Sequence, residues 1–130
     1  MVGCSGKVTY PNRATLCGAG GHVCSANDWL ANRNNVAPTH DYWTNDPLRY
    51  GGYGSSQCFA GDNAVVWLNG QLQFLPSYAC PDNEPMRICS GATDPEGNVC
   101  NWTGCGYEAF SNSYFGGCYA NATAGTACCF

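Results

Sequence analysis

The stretch Cys24–Arg33 reads CSANDWLANR and predicts a short helix from about Ser25 to Arg33. Ser25 is a favourable N-cap, and Asp28 three residues later completes a capping-box pattern. One apolar stripe follows at helical spacing and consists of Ala26, Trp29 and Leu30. The asparagines after Arg33, with Pro38 beyond them, end the helix.

Eleven cysteines in 130 residues indicate an oxidising compartment, because reduced cytosolic proteins of this size rarely carry so many. The alternative is zinc, but no Cys-x2-Cys knuckle occurs and the two histidines lie in no finger-like register. We therefore expect disulfides, each contributing about 2–4 kcal/mol. The cysteines are Cys4, Cys17, Cys24, Cys58, Cys80, Cys89, Cys100, Cys105, Cys118, Cys128 and Cys129.

The adjacent Cys128 and Cys129 should point to opposite faces if the chain ends as a strand, so we expect them to have different partners. Spacing fixes no other pairing. An odd number leaves one cysteine unpaired, either as a buried free thiol or as a covalent link to another chain.

Charge and hydropathy exclude several classes of function. Charged residues make up 11 % of the chain, only five are basic, and the net charge is −4, which argues against nucleic-acid binding. No stretch approaches the roughly 18 consecutive apolar residues of a membrane helix, so we expect no membrane insertion. The first residues have no signal-peptide pattern, so a secreted form implies a leader absent from this sequence.

A β-hairpin is predicted where Val65–Leu68 and Gln71–Leu75 flank Asn69-Gly70, because type I′ turns favour Asn-Gly. This register pairs Trp67 with Leu72 and gives one apolar face toward the core. Terminal strands are expected over residues 3–10 and 125–130, and another near residues 86–89. The fold class is α+β: one disulfide-rich domain over residues 1–130, mostly antiparallel strands, one or two short helices and long loops.

Several of these segments resemble the C-type-lectin-like fold, including cysteine-rich domains of bacterial secreted proteins and, distantly, the formylglycine-generating-enzyme-like branch. The stretch Gly21–Trp29 resembles the start of that fold's first helix, and Trp67–Leu72 is similar to its hairpin. Ala127–Phe130 resembles its last strand, which implies a bridge from this strand back to Cys24. The resemblance implies a lectin-like architecture over most of the chain.

Calcium is the cofactor that the acidic turns suggest, since Ca²⁺ takes six to eight oxygen ligands. The alternative is that Asp and Asn simply favour turns. The calcium-binding motifs of sugar-binding C-type lectins are only partly present in this chain. Asn83–Met86 lacks the amide or acid residue that follows the proline in the first motif, and Asn101–Thr103 lacks the acid that ends the second. Asp94 and Glu96 flank another turn that could add ligands. The predicted calcium ligands are Asn45, Asp46, Asp82, Asn83 and Glu84.

Aromatic residues in the two long loop regions predict a ligand surface, because rings with adaptable polar neighbours are typical of binding loops. The alternative is that these rings pack beneath the loops. The predicted ligand-binding residues are Tyr42, Trp43, Tyr50, Tyr53, Trp102 and Tyr107.

These features favour a secreted or cell-surface module that binds a glycan or an extracellular protein. The first alternative is a structural subunit of an extracellular fibre or coat, with self-association. The second is a small polysaccharide hydrolase, but we expect no enzyme. His40-Asp41 has the composition of an oriented base, yet no nucleophile pairs with it in the sequence.

Overall fold

The computed structural model describes residues 1–51, 58–59, 65–68, 71–74, 77–78, 85–91, 93–100, 114–116 and 122–130. For residues 49–51 and the short strands between 58 and 78, it describes the backbone alone. The strands are β1 (Val2–Val8), β2 (His22–Val23), β3 (Tyr42–Trp43), β4 (Arg49–Gly51), β5 (Cys58–Phe59), β6 (Val65–Leu68), β7 (Gln71–Phe74), β8 (Ser77–Tyr78), β9 (Arg87–Ile88), β10 (Phe115–Gly116) and β11 (Ala124–Cys129). The helices are a 3₁₀ helix (Tyr10–Leu16) and α1 (Ala26–Asn32).

A mixed six-stranded sheet organises the described residues, and β11 lies at its centre. One edge of β11 pairs with β1 in antiparallel orientation. Its other edge pairs in parallel with β3 and, further along, antiparallel with β2. β9 and β10 extend the sheet beyond β3. The predicted α+β class and both terminal strands are confirmed, and β9 occupies the expected position near residues 86–89. The first strand ends earlier than predicted, at Val8, because Tyr10 begins the 3₁₀ helix.

Two hydrophobic clusters cover opposite faces of this sheet, because successive residues of β11 point to alternate sides. Ala124 packs with Tyr10 and Trp43 beneath the 3₁₀ helix. Ala127 packs with Trp29 beneath α1, in a cluster that also contains Leu48, Met86, Ile88 and Phe115. We call these two sides the 3₁₀ face and the α1 face.

Each face is cross-linked to β11 by its own disulfide. Cys128 bonds to Cys17, which ends the 3₁₀ helix, with Cα atoms 5.3 Å apart. Cys129 bonds to Cys24, directly before the N-cap of α1, with Cα atoms 5.2 Å apart. The prediction that the adjacent cysteines have different partners is confirmed, as is the bridge from the last strand to Cys24.

A third disulfide joins Cys89 and Cys100, whose Cα atoms lie 5.4 Å apart. Cys4 on β1 is a free thiol and is half-buried. The disulfide state of the remaining cysteines lies outside the described residues; these are Cys58, Cys80, Cys105 and Cys118.

The predicted helix is confirmed, with both bonds of its capping box. Ser25 Oγ accepts from the Asp28 amide at 3.0 Å, and the Asp28 carboxylate accepts from the Ser25 amide at 2.9 Å. These hydrogen bonds hold the pKa of Asp28 below its usual value. The last helical residue is Asn32 and Arg33 is the C-cap, close to the expected end, and the chain then turns through two asparagines with positive φ.

The hairpin is also confirmed in its backbone register, because Trp67 pairs with Leu72 and Leu68 with Gln71. Its Asn69-Gly70 turn and the side chains of its apolar face lie outside the described residues. A separate three-stranded sheet contains β5, β4 and β8 in that order.

Candidate functional site

A groove of about 210 Å³ opens on the α1 face. It lies between the C-terminal half of α1, the turn after that helix, β3 and the beginning of β1. Its lining residues include Gly3, Trp29, Arg33, Val36, Pro38 and Tyr42. The lining combines aromatic rings and aliphatic groups with a guanidinium, which is a composition suited to an amphipathic small ligand.

The turn after α1 forms one wall of the groove. Asn34 and Asn35 have φ values of 53° and 59°, a left-handed conformation that asparagine tolerates better than most residues. The amide of Val36 donates to the Arg33 carbonyl at 2.9 Å and closes the turn. The chain therefore folds back toward β1, and Val36 remains 64 % exposed at the rim.

Three groups in the described part of the chain contact Arg33 on this wall. Its Nη1 donates to the Val36 carbonyl at 3.3 Å. Its guanidinium lies 5.5 Å from the Trp29 ring centroid and 5.3 Å from that of Tyr114, within cation–π range. Tyr114 has a φ of 60°, which is unusual for a bulky residue. That conformation places its ring edge-on to Trp29 and beside the Arg33 guanidinium.

Tyr42 extends from β3 toward β1 and is half-buried. A Cβ atom at Gly3 would lie 2.5 Å from the Tyr42 hydroxyl oxygen, so only glycine leaves room for this ring. Burial raises the pKa of Tyr42, and the nearby carboxylates of Glu96 and Asp94 raise it further, although a hydrogen bond with Thr39 acts in the opposite direction. The phenol therefore stays protonated and can donate a hydrogen bond.

A histidine–glutamate pair lies beside Tyr42. His40 Nε2 is 3.1 Å from Glu96 Oε2, and His40 Nδ1 is 2.8 Å from the hydroxyl of Thr39, which also lines the groove. The His40 and Tyr42 ring centroids are 6.0 Å apart. Glu96 thus lies beside this aromatic pair, and His40 is its partner.

Asp41, the residue between His40 and Tyr42, points into the protein and is fully buried. Its Oδ1 accepts from the amide and hydroxyl of Ser90, at 2.8 and 3.0 Å. Desolvation raises the pKa of Asp41 despite these bonds and the charge of Arg87. His40 pairs with Glu96 and Asp41 with Ser90, so the two neighbours do not form the base-and-orienter pair that their sequence suggests.

Asp94 lies next to Asp41 and organises the turn formed by residues 94–98. It accepts from the amides of Asp41, Glu96 and Asn98 and from the Asn98 side chain. Burial raises the pKa of Asp94, but these hydrogen bonds outweigh it and hold the pKa below its usual value. Asn98 then donates to the Gly6 carbonyl and accepts from Thr123, which fastens the turn to β1 and to the start of β11.

The structure separates the predicted ligand-binding aromatics. Tyr42 lines the groove, whereas Trp43 is 0 % exposed and its indole N–H donates to the Val8 carbonyl at 2.7 Å. A ring with no exposed surface cannot stack on a ligand, so Trp43 is a core residue. The side chains of the other four lie outside the described residues; these are Tyr50, Tyr53, Trp102 and Tyr107.

Two of the predicted calcium ligands, Asn45 and Asp46, lie within the described residues, and a side-chain oxygen of each already accepts a hydrogen bond from the protein. Asn45 Oδ1 accepts from Arg13, and Asp46 Oδ2 accepts from the Ala26 amide near the start of α1. Asp82, Asn83 and Glu84 lie outside the described residues. Within residues whose placement is described, no group of three His, Cys, Asp or Glu side chains is close enough to hold a metal ion. Calcium binding stays a prediction.

Sequence reasoning missed Gly3, Trp29 and Arg33 as groove residues. Trp29 fits the apolar stripe of α1, and Arg33 fits a helix end, so neither carries a separate functional signal. The sequence feature that could have indicated the groove is the asparagine pair followed by Pro38. Such residues favour a turn, and a turn here makes the chain fold back over its own helix.

Comparison with known proteins finds no family model, no curated protein and no solved structure that matches this chain. Among the described helices, none has the length and apolar character required to cross a bilayer.

Proposed function

We propose that this protein is a secreted or cell-surface module of lectin-like architecture that binds a glycan in the groove beside Tyr42. The observation that carries the proposal is the half-buried Tyr42 ring in the groove. Gly3 leaves the space that this ring occupies, and Trp29 and Arg33 line the groove beside it. An aromatic ring beside hydrogen-bonding groups suits the C–H face and hydroxyls of a sugar.

The disulfides support the extracellular part of the proposal. Bridges of this kind persist in oxidising environments and are rare in the cytosol. Two of them connect β11 to elements 105 and 111 residues away, so they are integral to the fold. A rigid cross-linked scaffold also lowers the entropic cost of holding a binding site open.

The test is a glycan array probed with the wild type and with Tyr42→Leu, with and without a chelator. We expect the wild type to bind a defined set of glycans and Tyr42→Leu to lose that binding, because leucine keeps apolar volume but not the ring. Phe130→Leu is the matched control, since Phe130 is 74 % exposed and does not line the groove. Thermal unfolding verifies that each variant folds.

Absence of any glycan binding would overturn the proposal. Binding that survives Tyr42→Leu would show that the site lies elsewhere. A loss of wild-type binding in chelator would show that calcium participates, as the acidic turns predict.

A structural subunit is the second candidate, and the free thiol of Cys4 favours it. Cys4 lies on β1, which forms one end of the described strand order, and an exposed strand edge is a common template for pairing between chains. Covalent dimers on a non-reducing gel that disappear in Cys4→Ser would support this candidate; a discrete monomer at high concentration would exclude it.

A further inference from the structure

A hydroxyl, an imidazole and a carboxylate follow one another at the edge of the groove. Thr39 lines the groove and is exposed, and its hydroxyl oxygen lies 2.8 Å from His40 Nδ1. On the other side of the imidazole ring, His40 Nε2 lies 3.1 Å from Glu96 Oε2. A hydroxyl within reach of a base, with a third group beside that base, is the arrangement that activates a hydroxyl as a nucleophile.

The two contacts of His40 assign a different role to each ring nitrogen. Because Nε2 faces a carboxylate, the proton of the neutral ring belongs on Nε2. Nδ1 is then the acceptor, and the Thr39 hydroxyl is the donor that faces it. The neutral ring can therefore take up a further proton only at Nδ1, and the proton within reach is that of Thr39.

Glu96 is placed to support the positive charge that His40 acquires with this proton. The side chains of His40 and Glu96 are 24 % and 29 % exposed, so water screens their interaction less than at an open surface. Glu96 Oε2 is buried, and no donor among the described residues hydrogen-bonds to it. A carboxylate beside a catalytic imidazole orients the ring and stabilises the imidazolium.

Tyr42 supplies a donor for the oxygen that becomes negative when a carbonyl is attacked. Its phenol lines the same groove and forms a hydrogen bond with Thr39, so the two hydroxyls are neighbours. Burial raises the pKa of Tyr42, and the phenol stays protonated. A positioned O–H donor of this kind stabilises the oxyanion of a tetrahedral intermediate.

We propose that Thr39, His40 and Tyr42 form a catalytic site that hydrolyses carboxylic esters, with Glu96 as a positioning residue. Thr39 Oγ bonds to the ester carbonyl carbon, and its proton passes to His40 Nδ1. The bond from that carbon to the alcohol oxygen then breaks, and the alcohol leaves with the proton from Nδ1. Water hydrolyses the acyl-Thr39 ester by the same route, which releases the carboxylic acid and restores the Thr39 hydroxyl.

The groove limits the acyl group to a short one. Its volume of about 210 Å³ lies below the roughly 300–1,000 Å³ of typical small-molecule sites. Val36, Ala37 and Pro38 line it beside Thr39, and their apolar surface suits the methyl group of an acetyl ester. This activity goes beyond the proposed glycan binding and does not depend on it, because the ester need not contain a sugar.

The experiment measures hydrolysis of para-nitrophenyl acetate by the folded protein. We expect the second-order rate constant of the wild type to exceed that of free imidazole by at least about 100-fold, the lower end of what a positioned acid–base group contributes. Mass spectrometry of protein quenched during turnover should place an acetyl group on Thr39. Thermal unfolding verifies that each variant folds.

Substitutions of the hydroxyl and of the base should have the largest effects. Thr39→Val keeps the shape of the side chain but not its hydroxyl, so it should lower kcat/KM by at least about 100-fold, whereas Thr39→Ser should retain activity. His40→Gln should cause a loss of the same size. His22→Gln is the matched control, because it removes the other histidine of the chain, which is exposed on β2 outside the groove lining. It should leave kcat/KM unchanged.

The other two residues should affect the chemical step through different atoms. Tyr42→Phe keeps the ring but removes the oxyanion donor, and it should lower kcat by about 100-fold. Glu96→Gln should lower kcat by about tenfold or more and leave KM unchanged, because Glu96 contacts the base and not the ester. Equal changes of kcat and KM in Glu96→Gln would show a merely structural role for this carboxylate.

The free thiol of Cys4 also reacts with this ester, so each measurement is repeated in a Cys4→Ser background. A wild-type rate no higher than that of imidazole, loss of activity in Cys4→Ser alone, or full activity in Thr39→Val would overturn the inference. Equal losses in His40→Gln and His22→Gln would also overturn it. Ester hydrolysis together with a silent glycan array would remove the proposed binding function and keep this activity, and the reverse result would remove the activity alone.

Discussion

The two faces of the central sheet use the same device with different results. On each face, one cysteine of β11 ties down a helix, and one residue of β3 contributes an aromatic ring. On the 3₁₀ face, Trp43 is fully enclosed and hydrogen-bonded to the backbone. On the α1 face, Tyr42 is half-exposed and borders a groove. Of two neighbouring residues in one short strand, Trp43 therefore packs in the core on one side of the sheet and Tyr42 lines the groove on the other.

The difference arises from the connection after each helix. The 3₁₀ helix runs directly into Cys17 and is held to β11 by the Thr126 hydroxyl, which donates to the Arg13 carbonyl at 2.8 Å. In contrast, α1 leads into a left-handed asparagine turn that leaves a gap before β3. The connection after the 3₁₀ helix therefore closes the 3₁₀ face, whereas the turn after α1 leaves the groove open on the α1 face.

Removal of each helix-to-β11 disulfide should have the largest effect. The double variants Cys17→Ala/Cys128→Ala and Cys24→Ala/Cys129→Ala should each lower the unfolding free energy by about 2–5 kcal/mol, the usual cost of losing a native disulfide from a small secreted domain. The two costs should be nearly equal, because the bridge that remains still closes the long loop and each variant opens the same short additional loop. Urea titration measures both. A difference above about 1 kcal/mol would show that local packing on one face, rather than loop closure, dominates.

Alanine substitutions at the two residues of β3 should have different costs in stability, because one side chain lies on each face of the sheet. Trp43→Ala should cost about 3–5 kcal/mol, as large core truncations do, and should leave the partly buried Val8 carbonyl without the indole donor. Tyr42→Ala should cost less, about 2 kcal/mol or below, because half of that ring contacts solvent. Denaturant unfolding at one pH compares them, and a larger cost for Tyr42→Ala would reverse our assignment of the two faces.

Substitutions at the two helix N-caps should also have unequal costs in stability, although both costs are smaller than those of the β3 substitutions. Ser25→Ala removes the bond that Ser25 Oγ accepts from the Asp28 amide and the bond that Oγ donates to the Asp28 carboxylate, and it should cost about 1 kcal/mol. Thr9→Ala is the counterpart at the 3₁₀ helix, where the N-cap side chain makes no capping bond, so its cost should be a few tenths of a kcal/mol. Equal losses in thermal unfolding would mean that the capping box adds nothing to α1.

Substitution of Asp41 should have the smallest effect, and this effect should appear in how the unfolding free energy changes with pH. Its folded-state pKa lies above the usual 3.8, so its contribution to stability is present at low pH and is lost as pH rises through that pKa. Asp94 has the opposite sign, because its lowered pKa stabilises the fold at higher pH and this is lost on acidification.

Asp41→Asn should therefore flatten the decline of unfolding free energy above about pH 4 and keep the acid-side decline due to Asp94. Unfolding curves between pH 3 and pH 7 measure both limbs. Parallel profiles for wild type and variant would show that Asp41 keeps an ordinary pKa in the fold.

The parts of this structure that depend on near neighbours in the chain were predictable. The capping pair Ser25 and Asp28 is three residues apart, and the hairpin register follows from a two-residue turn. The opposite directions of Cys128 and Cys129 follow from strand geometry alone. Each of these predictions needed no knowledge of distant segments.

The groove was less predictable, because distant segments build it. Gly3 and Tyr42 meet through the parallel pairing of β3 with β11, and Tyr114 reaches Arg33 from 81 positions further along the sequence. Trp43 and Tyr42 look alike in the sequence, and only their register on β11 decides which one is enclosed. Composition indicated aromatic recognition but could not assign rings to surfaces.

The long reach of the bridges to Cys128 and Cys129 constrains how this protein matures. Cys17 and Cys24 leave the ribosome more than 100 residues before their partners. During that interval they are exposed to several intervening thiols, so early oxidation would favour shorter, incorrect pairings. Correct maturation thus depends on delayed oxidation or on an isomerase that reshuffles the first bonds, and the yield of native protein should depend on the redox buffer more than on temperature.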